Sequence, residues 1–186
     1  MKRNRTITYS DENPVYFITT TVTGHTKIFA MEDLCDLALK DLDFYRKKHN
    51  FAIYGFVIMP THVYLLLQQL GAKTISDFMR DFKKHTAVEI IKYCKNNNLR
   101  GFLEIFRKSA EKYMRNRRSR YQVWQERFDD VVVFSEKVFR TKLNYIHNNP
   151  VQDHWNLSDA PWEYKYSSAR NHHLEDDSIF HVVEWW

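Results

Sequence analysis

Phe51-Ala52-Ile53-Tyr54-Gly55-Phe56-Val57-Ile58-Met59-Pro60-Thr61-His62-Val63-Tyr64-Leu65-Leu66-Leu67-Gln68-Gln69 is the most informative run in the chain. The part up to Met59 is almost wholly apolar, which predicts a strand buried on both faces. Pro60-Thr61 interrupts it, and His62 to Gln69 resumes as a second strand. So short a connection implies an antiparallel pair. Alternate strand residues share a face, so His62 and Tyr64 project together while Val63, Leu65 and Leu67 form a core face on the other side.

The flanking sequence extends this hairpin into a sheet. Upstream, residues 15–23 are dense in β-branched and aromatic side chains and end at Gly24, the pattern of a strand. Between them, over residues 31–49, Leu34, Leu37, Ala38, Leu42 and Tyr45 recur at helical spacing, with Lys40, Asp43, Arg46 and Lys47 on the other face. Downstream, Ile75, Phe78, Met79, Phe82 and Ile90 mark a second helix over 74–95. Val131-Val132-Val133-Phe134 is a further strand. Ser135 and Glu136 open a helix that Pro150 closes. The order is βαββαβ plus a late helix, an α+β chain with a ferredoxin- or RRM-like antiparallel sheet and helices on one face. A basic insert at 100–122 and a C-terminal tail at 172–186 complete one domain over 1–186. Residues 179–186 offer an edge strand.

Composition limits what such a domain does. At 186 residues, with 44% hydrophobic and 16% aromatic content, the chain has material for a real core and is not a disordered polymer. No apolar run approaches the roughly 18 residues of a membrane span. Lys2, Arg3 and Arg5 make the N-terminus basic, but no apolar stretch of the secretory type follows. Two cysteines, Cys35 and Cys94, form no CxxC pair and suit a reducing, cytoplasmic setting. The net charge of +5 is concentrated: residues 100–120 hold eight bases against two acids, and the remainder is close to neutral. This segment, with Arg107, Lys108, Lys112, Arg115, Arg117, Arg118 and Arg120, can neutralise several phosphates. Arg80, Lys83 and Lys84, off the apolar stripe of the second helix, add to it. Phe102, Phe106, Tyr113, Tyr121 and Trp124 are interleaved or nearby and suit stacking on unpaired bases. The plainer alternative is a solvated cationic segment beside core aromatics.

Two places carry candidate chemistry. His62, just after a turn, is placed as a metal ligand, or else it is an ordinary strand histidine. On the late helix, Tyr145 and Asn149 are four residues apart and share a face, with Lys142 one turn earlier. A phenol is a poor nucleophile until a cation lowers the cost of the phenolate. Otherwise Tyr145 is a core tyrosine with its hydroxyl at the surface.

Four ordered stretches bring these places together. Phe56 to Leu67 resembles the metal-binding strand of the single-tyrosine HUH transposases, a hydrophobic run, M-P-N-H-V-H, then leucines. Tyr145-Ile146-His147-Asn148-Asn149-Pro150-Val151 resembles the Y-I-x-x-N-P-V stretch of their REP-associated branch. Trp124-Gln125-Glu126-Arg127-Phe128-Asp129-Asp130 and Trp162-Glu163-Tyr164-Lys165-Tyr166-Ser167-Ser168 are similar to its W-Q-x-x-F-x-D-H and W-x-Y-S-S elements. The resemblance implies metal-assisted cleavage and rejoining of single-stranded or hairpin DNA through a 5′-phosphotyrosine. It makes Tyr145 the nucleophile and His62 and Asn149 ligands of a divalent cation, Mg²⁺ or Mn²⁺. It leaves open whether the enzyme acts as a monomer or a homodimer. Tyr64 stands where the family has its second histidine, and a neutral phenol is a far poorer ligand than imidazole. Asp129, Asp130 and His147 are possible substitutes. The alternative is therefore a hairpin-DNA-binding protein whose catalysis has weakened or lapsed. An RRM-like RNA binder predicts a K/R-G-F-x-F-V pattern, which is not present.

Overall fold

The computed structural model describes residues 14–112, 120–178 and 182. Lys2, Arg3, Arg5, Tyr113, Arg115, Arg117, Arg118 and nearly all of the proposed edge strand at 179–186 lie outside the described residues.

The hairpin forms as the sequence predicts. β2 (Phe51–Met59) and β3 (His62–Gln69) run antiparallel across a two-residue connection, with Met59 opposite His62. β3 pairs on its other side with β1 (Val15–Thr21), which in turn pairs with β4 (Asp129–Val133). The order β2-β3-β1-β4, antiparallel throughout, is the ferredoxin-like arrangement. The outer edge of β2 is not bare. Ile58 N–H donates to Tyr166 C=O, and Ser168 N–H to Phe56 C=O, both at 2.9 Å. His172 Nε2 lies 2.8 Å from Tyr54 C=O. The W-x-Y-S-S-like stretch thus caps a sheet edge that would otherwise expose unpaired backbone groups.

Both faces of the sheet are covered, by different layers. α1 (Glu32–His49) and α2 (Ile75–Asn96) share one face, where Ile18, Ile53, Phe56, Ile58, Val63, Leu65 and Leu67 meet Leu34, Leu42, Phe78 and Phe82. The late helix α4 (Glu136–Asn148) covers the opposite face, setting Phe139 and Ile146 against Val15, Phe17, Tyr54, Val57 and Leu66. Helices on one face therefore describes α1 and α2 but not α4. Ser135 caps α4 as predicted, its Oγ accepting from Val138 N–H at 3.3 Å. Thr74 caps α2 in a reciprocal box with Asp77.

The basic insert begins as a helix. α3 (Arg100–Lys112) buries Phe106 and Ala110 and packs on α2, on the side of the sheet away from α4. Beyond the described break, residues 120–128 return along α2. Trp124 is buried between Phe29 and Phe82, and its Nε1–H donates to Thr86 Oγ1 at 2.9 Å. A short final helix, α5 (Ala169–Leu174), closes the described chain. Among the described residues no helix is long and apolar enough to cross a membrane, and Cys35 and Cys94 are both buried free thiols.

A bulge in β2 fixes how closely α4 sits. Pairing shifts between Ile53 and Gly55, so the core face passes from Phe51 and Ile53 to Phe56 and Ile58. At the shift, a Cβ on Gly55 would fall 2.6 Å from Leu143 Cδ1 and 3.7 Å from Ile146 Cδ1. Gly55 is where the helix rests on bare backbone. Gly55→Ala is expected to cost about 1 kcal/mol, because the obstruction is a movable leucine tip. That corresponds to a Tm lower by about 2–4 °C. In a double-mutant cycle with Leu143→Ala, thermal denaturation should show the two costs falling short of additivity. Additive costs would mean that α4 does not rest on Gly55.

Candidate active site

His62 and Tyr64 face α4, as the alternation of β3 requires. His62 is buried, and its Nδ1 lies 2.8 Å from Thr61 Oγ1. Burial, with a smaller contribution from the charge of His25, pushes its pKa down to about 4, so the ring is neutral near pH 7. In the tautomer whose Nδ1–H donates to Thr61, Nε2 presents a lone pair, and that buried nitrogen has no hydrogen-bond partner among the described residues. The ring packs edge-on against Tyr64 at 4.6 Å and near Trp155 at 5.8 Å between centroids.

Tyr145 comes from the last turns of α4. Its hydroxyl is 2.9 Å from that of Tyr64, its ring meets the Tyr64 ring edge-on at 5.2 Å, and 40% of the residue remains exposed. Phe17 lies beneath the pair, stacked on Tyr64 at 5.6 Å and edge-on to Tyr145 at 6.0 Å. Lys142 Nζ sits 4.5 Å from the centroid of the same Phe17 ring, so a cation joins the group as the helical spacing suggested. Burial, the hydrogen bond to Tyr145 and its proximity all raise the Tyr64 pKa, so Tyr64 stays a neutral phenol.

Asn149, the residue that ends α4, is buried, and its Oδ1 has no hydrogen-bond partner among the described residues. Among the described residues, the two positions read as metal ligands thus each carry a buried acceptor without a partner, His62 Nε2 and Asn149 Oδ1. Buried polar atoms without partners are rare. Each of these two is of a donor type that a divalent cation takes. Tyr64, at the third position, does not fit: it is neutral, and its hydroxyl is spent on Tyr145. Among the described residues no group of three or more His, Cys, Asp or Glu side chains is placed to hold a metal. Asp129 and Asp130 are on the edge strand β4, and His147 turns instead to Ser168 Oγ, 3.0 Å away.

The basic residues sit elsewhere. α2 and α3 lie across the sheet from Tyr145. Arg80 is paired with Asp77 and Asp81, and Arg107 with Glu104 and Glu111. Lys108 is 3.7 Å from Glu104. Lys83 Nζ donates to the Gln125 carbonyl at 2.7 Å and reaches those of Glu126 and Arg127. Lys84 is exposed, Lys112 ends α3, and the Arg120 guanidinium lies 5.8 Å from the centroid of the Tyr121 ring. Sequence reasoning passed over Thr61, Phe17 and Trp155, which orient or enclose the site. Phe17 was legible in principle, since alternation along β1 puts it on the His62 face. Trp155 follows Pro150 in irregular chain and carries no such signal.

No family model and no curated protein matches the chain. Solved structures do. A REP-associated tyrosine transposase bound to a REP hairpin superposes with a TM-score of 0.63 at 15% identity, covering 100% of this chain and 92% of that one. The two share a fold. A chain from Deinococcus radiodurans r1, whose transposase assignment is itself provisional, aligns at 17% identity over 80% of this chain and 97% of that one, with a TM-score of 0.47.

The neutral histidines set an acid limit on stability. His147, buried and close to His172 and His173, is pushed down to about 3. Both His62 and His147 have folded pKa values below the usual 6.5, so the unfolded chain binds more protons below that pH. Their stabilisation is complete above about pH 6.5 and is lost as pH falls toward 4. Urea denaturation between pH 7 and pH 5 should show falling stability. His62→Gln should remove up to about 1.4 kcal/mol per pH unit from that slope. An unchanged slope would mean that His62 takes up its proton as readily in the folded protein as in the unfolded chain.

Proposed function

We propose that this protein binds single-stranded or hairpin DNA and breaks and rejoins one strand through Tyr145. The observation that carries the reading is the hydroxyl contact between the exposed Tyr145 and Tyr64, two residues along β3 from the buried His62, on the sheet face that α4 covers. The fold shared with a REP-associated tyrosine transposase, together with the four sequence stretches, supports the same conclusion.

In this reading the Tyr145 oxygen attacks a backbone phosphorus, the P–O3′ bond breaks, and the 3′ oxygen leaves as a hydroxyl. The 5′ end remains as a phosphotyrosine, which keeps one phosphoester for another and lets a second 3′-OH reverse the step. The Tyr145 proton passes to solvent during the attack, and the departing 3′ oxygen takes one up from solvent to become the hydroxyl. Tyr64, neutral and already in hydrogen-bond contact, then donates its O–H to the tyrosine oxygen as negative charge develops there. Phe17 and the edge-on Tyr64 ring restrict the Tyr145 ring to this orientation, and Lys142 supplies positive charge beside it. A divalent cation held by His62 Nε2 and Asn149 Oδ1 would polarise the scissile phosphate.

A second reading is favoured by one contact. Tyr64 replaces an imidazole and engages the nucleophile directly, as expected of a protein that still grips hairpins but no longer cleaves them. The readings separate on incubating the protein with a labelled hairpin and Mn²⁺, then denaturing it. A surviving covalent adduct, absent in Tyr145→Phe with hairpin affinity kept within about twofold, supports cleavage. Binding without adduct, with an adduct gained by Tyr64→His, supports a lapsed site. Failure to bind any single strand or hairpin at low salt overturns both.

A further inference from the structure

A groove of about 750 Å³ runs between α2 and the returning segment 121–126, on the face of the sheet away from Tyr145. Its helical wall carries Lys84, Val88, Ile91, Lys92 and Lys95. Their spacing of four, three, one and three residues is one helix face. The opposite wall is Tyr121 to Glu126, held against α2 by the Trp124–Thr86 hydrogen bond and by Lys83 on the Gln125 carbonyl. The groove is therefore a built feature, with a floor anchored to the core through Val123 and Trp124, both almost fully buried.

Its chemistry is mixed in a specific way. Four lysines line it against one lining acid, Glu126, and Lys92 lies 3.6 Å from Glu89 on the same helix. Between the lysines the surface is apolar, and Val88 is 58% exposed. At one end the Tyr121 ring has Lys95 Nζ at 5.4 Å and the Arg120 guanidinium at 5.8 Å from its centroid. Cations beside an aromatic ring and an apolar strip are the two halves of a single-strand site: one meets phosphates, the other bases. A duplex presents its phosphates outward and hides its bases, leaving nothing for Val88 and Ile91 to cover. The chain's own acidic run is already engaged, Asp176 with Arg170 and Asp177 with Asn171. Lys84 and Lys95 are eleven residues apart, about 16 Å along the helix. At ~3.4 Å per nucleotide of a stacked strand this spans about five nucleotides.

We infer that this groove binds an unpaired stretch of DNA, as a second contact surface on the opposite side of the sheet from the Tyr145 site. It rests on the reading that the protein handles single-stranded DNA, and adds where the strand outside the reacting phosphate lies. Phosphates run along Lys84, Lys92 and Lys95, and a base stacks at Tyr121. DNA that reaches both surfaces passes around the edge of the sheet.

The test measures binding of fluorescent oligo-dT and of a blunt hairpin by anisotropy across a salt series. K84E/K95E should weaken oligo-dT binding at least tenfold at low salt and flatten the dependence of log affinity on log salt by about 1.4. Tyr121→Ala should cost about tenfold with the salt slope unchanged, and Tyr121→Phe should restore affinity. The matched reversal K40E/K48E on α1 should have little effect. The blunt hairpin should lose much less than oligo-dT in the groove variants. An equal loss in the α1 control would show only net charge and overturn the proposal. It is also overturned by an equal loss on the blunt hairpin, by no effect of Tyr121→Ala, or by poly-glutamate competing as well as oligo-dT. Covalent adduct formation on a saturating hairpin reads the Tyr145 site separately. Loss of wild-type binding to every single strand would sink that reading as well, whereas groove variants that bind normally would sink this proposal alone.

Discussion

The seating of α4 on the sheet at Gly55 is the constraint on which the candidate site depends. A strand and a helix pack with their side chains between them. Here one position has no side chain, and Leu143 fills the gap. The β2 bulge places the glycine there and at the same time rotates the strand's remaining residues to the correct faces. A second tie lies beside it. Ser168 Oγ accepts from Phe56 N–H at 2.9 Å and lies 3.0 Å from His147 Nε2, linking β2, α4 and the start of α5 through one hydroxyl. His147 is neutral because it is buried, so this link costs no buried charge. With the helix located at these two points, Tyr145 has no freedom to choose another strand partner than Tyr64.

The sheet also separates two chemistries. One face carries tyrosines, His62 and Asn149, with little charge beyond Lys142. The other carries the basic helices, several of whose cations are already paired with acids on the same helix. Such surface pairs contribute little to stability, but they lower the local potential. A net charge read from sequence therefore overstates what α3 offers a phosphate. The lysines of the α2 groove, with Lys92 near Glu89, are set beside apolar surface and an aromatic ring.

How far the sequence is legible depends on which interactions are local. The face of each β3 residue follows from alternation, and the start of α4 follows from Ser135, because strand geometry and caps act over two or three residues. The spacing of Tyr145 and Asn149 follows from helical periodicity. The side of the sheet that α4 covers does not, since either face of an α+β sheet accepts an amphipathic helix. Nor does the helical state of 100–112. Its apolar residues Phe102, Leu103, Phe106 and Ala110 have helical spacing, but the density of charge outweighs them until α2 is there to receive them. The Tyr64–Tyr145 contact, between residues 81 apart, was beyond any local signal.

That contact also explains how a phenol occupies a position read as an imidazole without disturbing the fold. A tyrosine extends its oxygen farther from the backbone than histidine extends either nitrogen, so it bypasses the space beside His62 and reaches the nucleophile. Its ring stays within the aromatic set of Phe17, His62 and Tyr145, which recovers the packing that a smaller side chain would forgo. The buried Nε2 of His62 and Oδ1 of Asn149 are then without hydrogen-bond partners among the described residues, a cost that the folded chain carries on this face. His62 lies two residues before Tyr64 and Asn149 one turn after Tyr145, so the two unpartnered acceptors flank the residues that make the tyrosine contact.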